Sequence, residues 1–142
     1  MNRLILLFLL ISSFSFGQDD PYKFEIKGVE DTVVYLANYY GEKLYYADTA
    51  KTDSQGQFTF KAIDKKNEGK YAVVAPGPKY FEIIIANDES IMMKTDTSNL
   101  AGNMEVLESQ NNKIMYDYMQ YLGDKKKERE ALVAKMEEQK DD

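Results

Sequence analysis

A mainly β domain, an antiparallel β-sandwich followed by a short two-helix C-terminal extension, is the fold this sequence predicts. Three observations predict it. Alternating or β-branched apolar runs recur from residue 22 to residue 107 with no helical pattern between them. The breaks between the runs are turn formers, as in Asp53-Ser54-Gln55-Gly56 and Pro76-Gly77. From Ser109 onward the apolar positions recur instead at helical spacing.

In order, Tyr22, Phe24 and Ile26 alternate with Lys23, Glu25 and Lys27, a first strand ending at Gly28. Residues 32–38 are β-branched and aromatic and read as a second strand, with Tyr39, Tyr40 and Gly41 reversing the chain. Residues 43–52 form the long arm of a central hairpin and 57–62 its partner, whose Phe58 and Phe60 share one face. Between them Asp53 and Ser54 bond back to the backbone, and Gly56 supplies the positive φ of the reversal. Residues 64–69 are a polar turn, 71–75 a short buried strand, and 76–78 a breaker. The triple Ile of 79–86 predicts a strand buried on both faces. Residues 90–95 alternate again, 96–102 form a polar loop, and 104–107 a last edge strand.

Ser109 is placed to cap a helix carrying Ile114, Met115, Tyr118, Met119 and Leu122. Gly123 is expected to stop it and Asp124 to cap a second helix over 125–139. That second helix offers little apolar surface, namely Ala131, Leu132, Val133 and Met136. Either it folds back on the sheet or its partner lies outside this chain.

The first 17 residues combine a basic start at Arg3, an apolar run from Leu4, and small residues at Ser15 and Gly17. This is the layout of a secretory signal peptide, and the run is too short to span a bilayer, which takes about 20 apolar residues. The expected organisation is a signal peptide at 1–17, a β-sandwich at 18–107 and a helical connector at 108–142. Export to the periplasm or beyond is implied, with no membrane span once the signal is cleaved. No Cys follows the run, which excludes a lipid-modified N-terminus. The net charge is −6, one unit more negative without Arg3, and argues against nucleic acid as a partner.

The chain has no Cys and no His, which closes thiol catalysis, Cys/His metal sites and Ser-His-Asp triads. Asp48 and Asp53 are five residues apart, so a regular strand turns them to opposite faces, and they read as locally bonded residues. The loops at 53–56, 87–89 and 96–99 lack the ligand spacing of a calcium loop and read as turns. No cofactor, metal or catalytic residue is expected. The 11 tyrosines are the more informative residues. Tyr39 and Tyr40 precede Gly41, Tyr45 and Tyr46 follow it, and Tyr118 and Tyr121 lie on the helix. Exposed Tyr suits protein contacts or stacking on sugar rings, because the ring offers large area at low entropic cost.

Five landmarks stand in sequence: N-Y-Y-G-E-K-L-Y-Y-A-D-T-A from Asn38, D-S-Q-G-Q-F-T-F from Asp53, G-K-Y-A-V-V-A-P from Gly69, K-Y-F-E-I-I-I from Lys79, and S-Q-N-N-K-I-M-Y-D-Y from Ser109. Together they resemble the β-rich N-terminal domain of unknown function in exported thioredoxin-like (TlpA- and ResA-like, AhpC/TSA-type) disulfide oxidoreductases of Bacteroidota. The likeness runs from Tyr22 to Leu132. It implies a sandwich module and helical connector ahead of a redoxin domain, with a role in cell redox homeostasis. The family's redox pair, a Cys-x-x-Cys, has no counterpart here, so no catalytic residue carries over. The expectation is a non-enzymatic accessory module that docks or positions a thioredoxin-like domain, in cis or in trans. It would make contact through 104–121 and the exposed tyrosines. The alternative is a small-ligand or glycan-binding module using Tyr39, Tyr40, Tyr45 and Tyr46.

Overall fold

The computed structural model describes residues 22–61, 63, 68–77, 79–86 and 89–139. The expected signal peptide, part of the 64–69 turn, Pro78, Asn87 and Asp88 lie outside the described residues. The strands are β1 (Tyr22–Lys27), β2 (Val33–Tyr40), β3 (Lys43–Lys51), β4 (Gln57–Phe60), β5 (Gly69–Ala75), β6 (Lys79–Ile85), β7 (Ile91–Asp96) and β8 (Glu105–Glu108). One helix, α1 (Gln110–Glu138), follows. Every predicted strand is present, and β2 runs on through Tyr39 and Tyr40 before Gly41 turns the chain. The fold is a mixed α/β arrangement of two four-stranded sheets and a C-terminal helix.

The first sheet has the order β4-β1-β7-β8 and the second β3-β2-β5-β6. This corrects two expectations. The arrangement is not wholly antiparallel, because β1 and β7 run parallel. Alternation specifies which side chains of a strand face inward, but not which strand lies beside it. In the parallel register Tyr22, Phe24 and Ile26 sit opposite Ile91, Met93 and Thr95, so the buried rows remain continuous.

Nor do β3 and β4 form a hairpin: β3 pairs with β2, and β4 with β1 in the other sheet. Residues 52–56 therefore carry the chain from one sheet to the other. The local chemistry of the turn is as expected. Asp53 Oδ1 accepts from the amides of Gln55 and Gln57 at 2.8 and 2.9 Å. Gly56 has φ of 74°, and a Cβ there would stand 2.2 Å from the Ile26 carbonyl oxygen. Its amide and carbonyl bond Asp53 and Ile26, which stitches the crossing to β1. A side chain at 56 would push those two segments apart.

Inward residues of both sheets meet in one hydrophobic cluster. Phe24 stacks on Phe58 at 5.4 Å between ring centroids, meets Phe60 edge-on, and reaches Phe81 of the second sheet at 6.1 Å. Burying each such side chain stabilises the fold by about 1.5–3 kcal/mol. Buried hydroxyls are bonded: Thr95 donates to the Leu100 carbonyl and Thr52 pairs with the backbone of Thr32. On β6, Ile83 and Ile85 enter the core, whereas Ile84 is half-buried on the opposite face.

The C-terminal segment is one helix of 29 residues, not two. Gly123 neither adopts positive φ nor ends the helix. A mid-helix Gly costs only about 1 kcal/mol against Ala. The residues after it, rich in Lys, Glu and Ala, are good helix formers. Ion pairs at helical spacing, Lys127–Asp124, Lys125–Glu128 and Lys126–Glu130, follow the glycine directly. Asp124 thus serves inside the helix instead of capping a new one.

Candidate interaction site at the helix–sheet junction

Strand β6 is an edge of the second sheet, so alternate backbone groups point outward without a strand to receive them. The start of α1 takes that place. Asn112 Oδ1 accepts from the Ile84 amide, and Asn112 Nδ2 donates to the Ile84 carbonyl, both at 2.7 Å. One side-chain amide thereby reproduces the two-bond exchange of an antiparallel residue pair. One turn later the Tyr116 hydroxyl donates to the Glu82 carbonyl at 2.8 Å. Helix numbers rise as strand numbers fall, so α1 runs antiparallel along β6. Asn112 and Tyr116 are the buried residues of the helix.

Three further contacts hold this start in place. Ser109 is the N-cap, as expected: its hydroxyl oxygen accepts from the Asn112 amide at 3.1 Å and from Asn112 Nδ2 at 2.7 Å. Ser109 itself sits at φ 120°, a strained conformation for a non-glycine residue. The first turn contains no acidic residue of its own. Glu89, from the β6–β7 connection, supplies the charge by accepting from the amide and side chain of Asn111 at 3.1 and 2.9 Å. Burial raises the Glu89 carboxyl, but the bonds from Asn111, Ser109 and Gln110 outweigh it and leave the group lowered.

Glu82 ties this junction to the outer face of the second sheet. Its Oε1 accepts from the Tyr39 hydroxyl at 2.7 Å and pairs with Lys70 Nζ at 2.9 Å, while that ammonium also lies 4.8 Å from the centre of the Tyr39 ring. Burial raises the Glu82 carboxyl, and the Tyr39 and Lys70 bonds override it to leave it lowered. The Tyr39 hydroxyl is pushed up to about 12, first by burial and then by the Glu82 carboxylate. Burial also pushes up the Tyr116 hydroxyl strongly.

Strand register divides the four hairpin tyrosines between two faces. Tyr46, Ala37, Ala72 and Glu82 form one row across the outer face of the second sheet. Tyr39 shares that face, and Tyr46 stacks on Tyr35 at 4.4 Å between centroids. Ala37 and Ala72 are fully buried although they lie on an outer face, between Tyr46 and Glu82 in the row. Tyr40 and Tyr45 occupy the other side of the β2–β3 ribbon and meet edge-on at 6.2 Å. Tyr40, Tyr45 and Tyr46 are exposed, and Tyr39 is half-buried. Tyr118 and Tyr121 are exposed on α1.

The carboxylates of the loops are engaged locally. Asp48 accepts from the amides of Thr49 and Lys61, at 2.7 and 3.2 Å. Asp96 accepts from the Ser98 hydroxyl, the Ser98 amide and Asn103, bonds that hold it down to about 2. Among the described residues no three His, Cys, Asp or Glu side chains cluster as metal ligands, and no helix is long and apolar enough to cross a membrane.

Sequence reasoning located Ser109 but not what Asn112, Tyr116, Glu82 and Glu89 do. A signal for two of them was present: Asn stands three residues after the cap, where Glu or Gln commonly sits, and Tyr follows one turn later. The fold and this junction define a β-rich domain whose helix replaces a missing strand partner. No protein-family model matches the chain, and no curated protein matches it either.

Proposed function

We propose that this is an exported, non-catalytic accessory module that positions a thioredoxin-like domain, in cis or in trans, by means of the helix rooted at β6. The observation that carries this reading is the manner of attachment of α1. Two buried side chains hold its first two turns to a sheet edge, and the residues from Asp117 to Glu138 are exposed. After Tyr116 about 33 Å of helix remain, against about 10 Å of β6, so the arm overshoots the sheet by roughly 20 Å. A rigid arm fixed at one end sets the distance and direction of whatever it holds. The resemblance to modules found ahead of redoxin domains supports a thioredoxin-like partner, and residues 1–17 support export to the periplasm or beyond. The single core shared by the two sheets supports a β-sandwich.

Calorimetric titration of the protein with a separately purified thioredoxin-like domain from the same organism tests the proposal. Saturable binding at micromolar concentration is expected, weakened when Asn112→Ala loosens the root of the arm. Absence of binding at high micromolar concentration abandons the reading. A second reading, a glycan-binding face, has the Tyr35–Tyr46 stack and the exposed Tyr80 as its observation. Quenching of tyrosine fluorescence by a sugar panel, lost in Tyr46→Ala, would favour it instead.

A further inference from the structure

Of the exposed apolar residues of α1, Met119 continues the face that grips β6, but a longer stripe does not. At about 100° per residue, Ile114, Tyr118, Tyr121, Lys125, Arg129, Leu132 and Met136 all fall within about 40° of one line along the helix. That line lies well over 100° around the helix axis from the midpoint between Asn112 and Tyr116. The stripe therefore points away from the sheets of its own chain. Its apolar members are largely in solvent, with Tyr118 60% and Leu132 61% exposed. Among the described residues nothing covers this stripe, which leaves it open to an occupant.

We infer that the occupant is the same stripe of a second copy, packed antiparallel and centred on Lys125. The spacing along the stripe is four, three, four, four, three, four, which reads identically in both directions. Residues equidistant from Lys125 then face each other: Ile114 meets Met136 of the second copy, Tyr118 meets Leu132, and Tyr121 meets Arg129. Ile114, Lys125 and Met136 lie eleven residues apart, a period that gives the seam a slight right-handed twist in place of the left-handed supercoil of a seven-residue repeat.

Charge selects the direction. Lys125 meets its counterpart in either direction, but parallel pairing also sets Arg129 against Arg129. Antiparallel pairing moves each Arg129 onto a Tyr121 ring, where a guanidinium over an aromatic face is attractive. It also brings Asp117 beside Lys135 of the second copy along one flank. Within each chain the Lys125 Nζ bonds Glu128 at 2.8 Å and lies 5.8 Å from the Tyr121 ring centre, so its charge is partly offset where the two lysines meet. The sheets of the two copies sit at opposite ends and on opposite sides of the helix pair, so they do not collide. Such a dimer does not depend on a thioredoxin-like partner and would present two arms at once.

The chain lacks cysteine, so introduced thiols report on the pairing without background. Sedimentation of the purified protein over a micromolar range is expected to show a monomer–dimer equilibrium. Leu132→Arg should weaken it by about tenfold or more while leaving the circular dichroism spectrum unchanged, since the position is exposed. When the Tyr118→Cys and Leu132→Cys proteins are mixed and oxidised, the disulfide joining one variant to the other should dominate. A monomer at every concentration overturns the inference, as does a dimer indifferent to Leu132→Arg. A predominance of disulfides joining two copies of the same variant would show parallel pairing and overturn it equally.

Discussion

The first two turns of α1 and the turns beyond them share one backbone but differ in every other respect. At the start, Asn112 and Tyr116 are buried and bond to β6, and Ser109 and Glu89 satisfy the free amides. Past Tyr116 every described residue is exposed, including Tyr118, Leu122, Leu132 and Met136. Two hydrogen-bonding side chains, with the Tyr116 ring and Met115 packed at the core, attach a helix that does not dock through a broad apolar stripe. They succeed because an edge strand offers bare amides and carbonyls whose alternative, burial without partners, is costly.

Substitution at Asn112 should break this contrast most completely. Asn112→Ala leaves the amide and carbonyl of Ile84 unpartnered and removes the side-chain bond to the Ser109 hydroxyl, while the backbone capping bond stays. The expected loss is about 3 kcal/mol in chemical denaturation, at about 1–3 kcal/mol per buried unsatisfied group. Tyr116→Phe keeps the ring and orphans only the Glu82 carbonyl, so its loss should be about half as large. Equal and negligible losses at both positions would mean that the helix is held in some other way.

Glu89 gives a smaller effect with a defined pH dependence. Its carboxyl is lowered in the folded protein from the ordinary 4.5, so the stabilisation it provides is present above that value and is lost as pH falls through the folded value. Glu89→Gln should therefore destabilise by about 1 kcal/mol at neutral pH, with the gap to wild type closing in acid. A gap independent of pH would assign the effect to shape instead of charge.

The smallest effect is expected beyond the anchor. Ending the chain after Gly123 removes no buried residue, and the unfolding free energy of the remaining domain should change by less than about 0.5 kcal/mol. A larger loss, measured where the full chain is monomeric, would place the distal helix against the sheets and erase the distinction between the two parts.

Much of this was readable in advance where the information is local. Alternation in Tyr22-Lys23-Phe24-Glu25-Ile26 and in Phe58-Thr59-Phe60 marks strands and their inner faces, because side chains on a pleat point to alternate sides. Asp53 and Gly56 mark their turn, since one bonds nearby amides and the other accepts positive φ beside the Ile26 carbonyl. Ser109 marks the helix start for a similar reason. Gly123 misleads because a glycine inside a helix and one that ends it look alike, and the ion pairs that follow it tip the balance.

Residues close in sequence thus mark eight strands, the inward side chains of those that alternate, and the place where helix begins. Each follows from interactions within a few residues. Only the tertiary structure decided that β1 lies parallel to β7, that residues 52–56 bridge two sheets, and that Asn112 faces Ile84. Those outcomes join groups far apart in the chain, and a short stretch of residues holds no record of which distant backbone will arrive beside it.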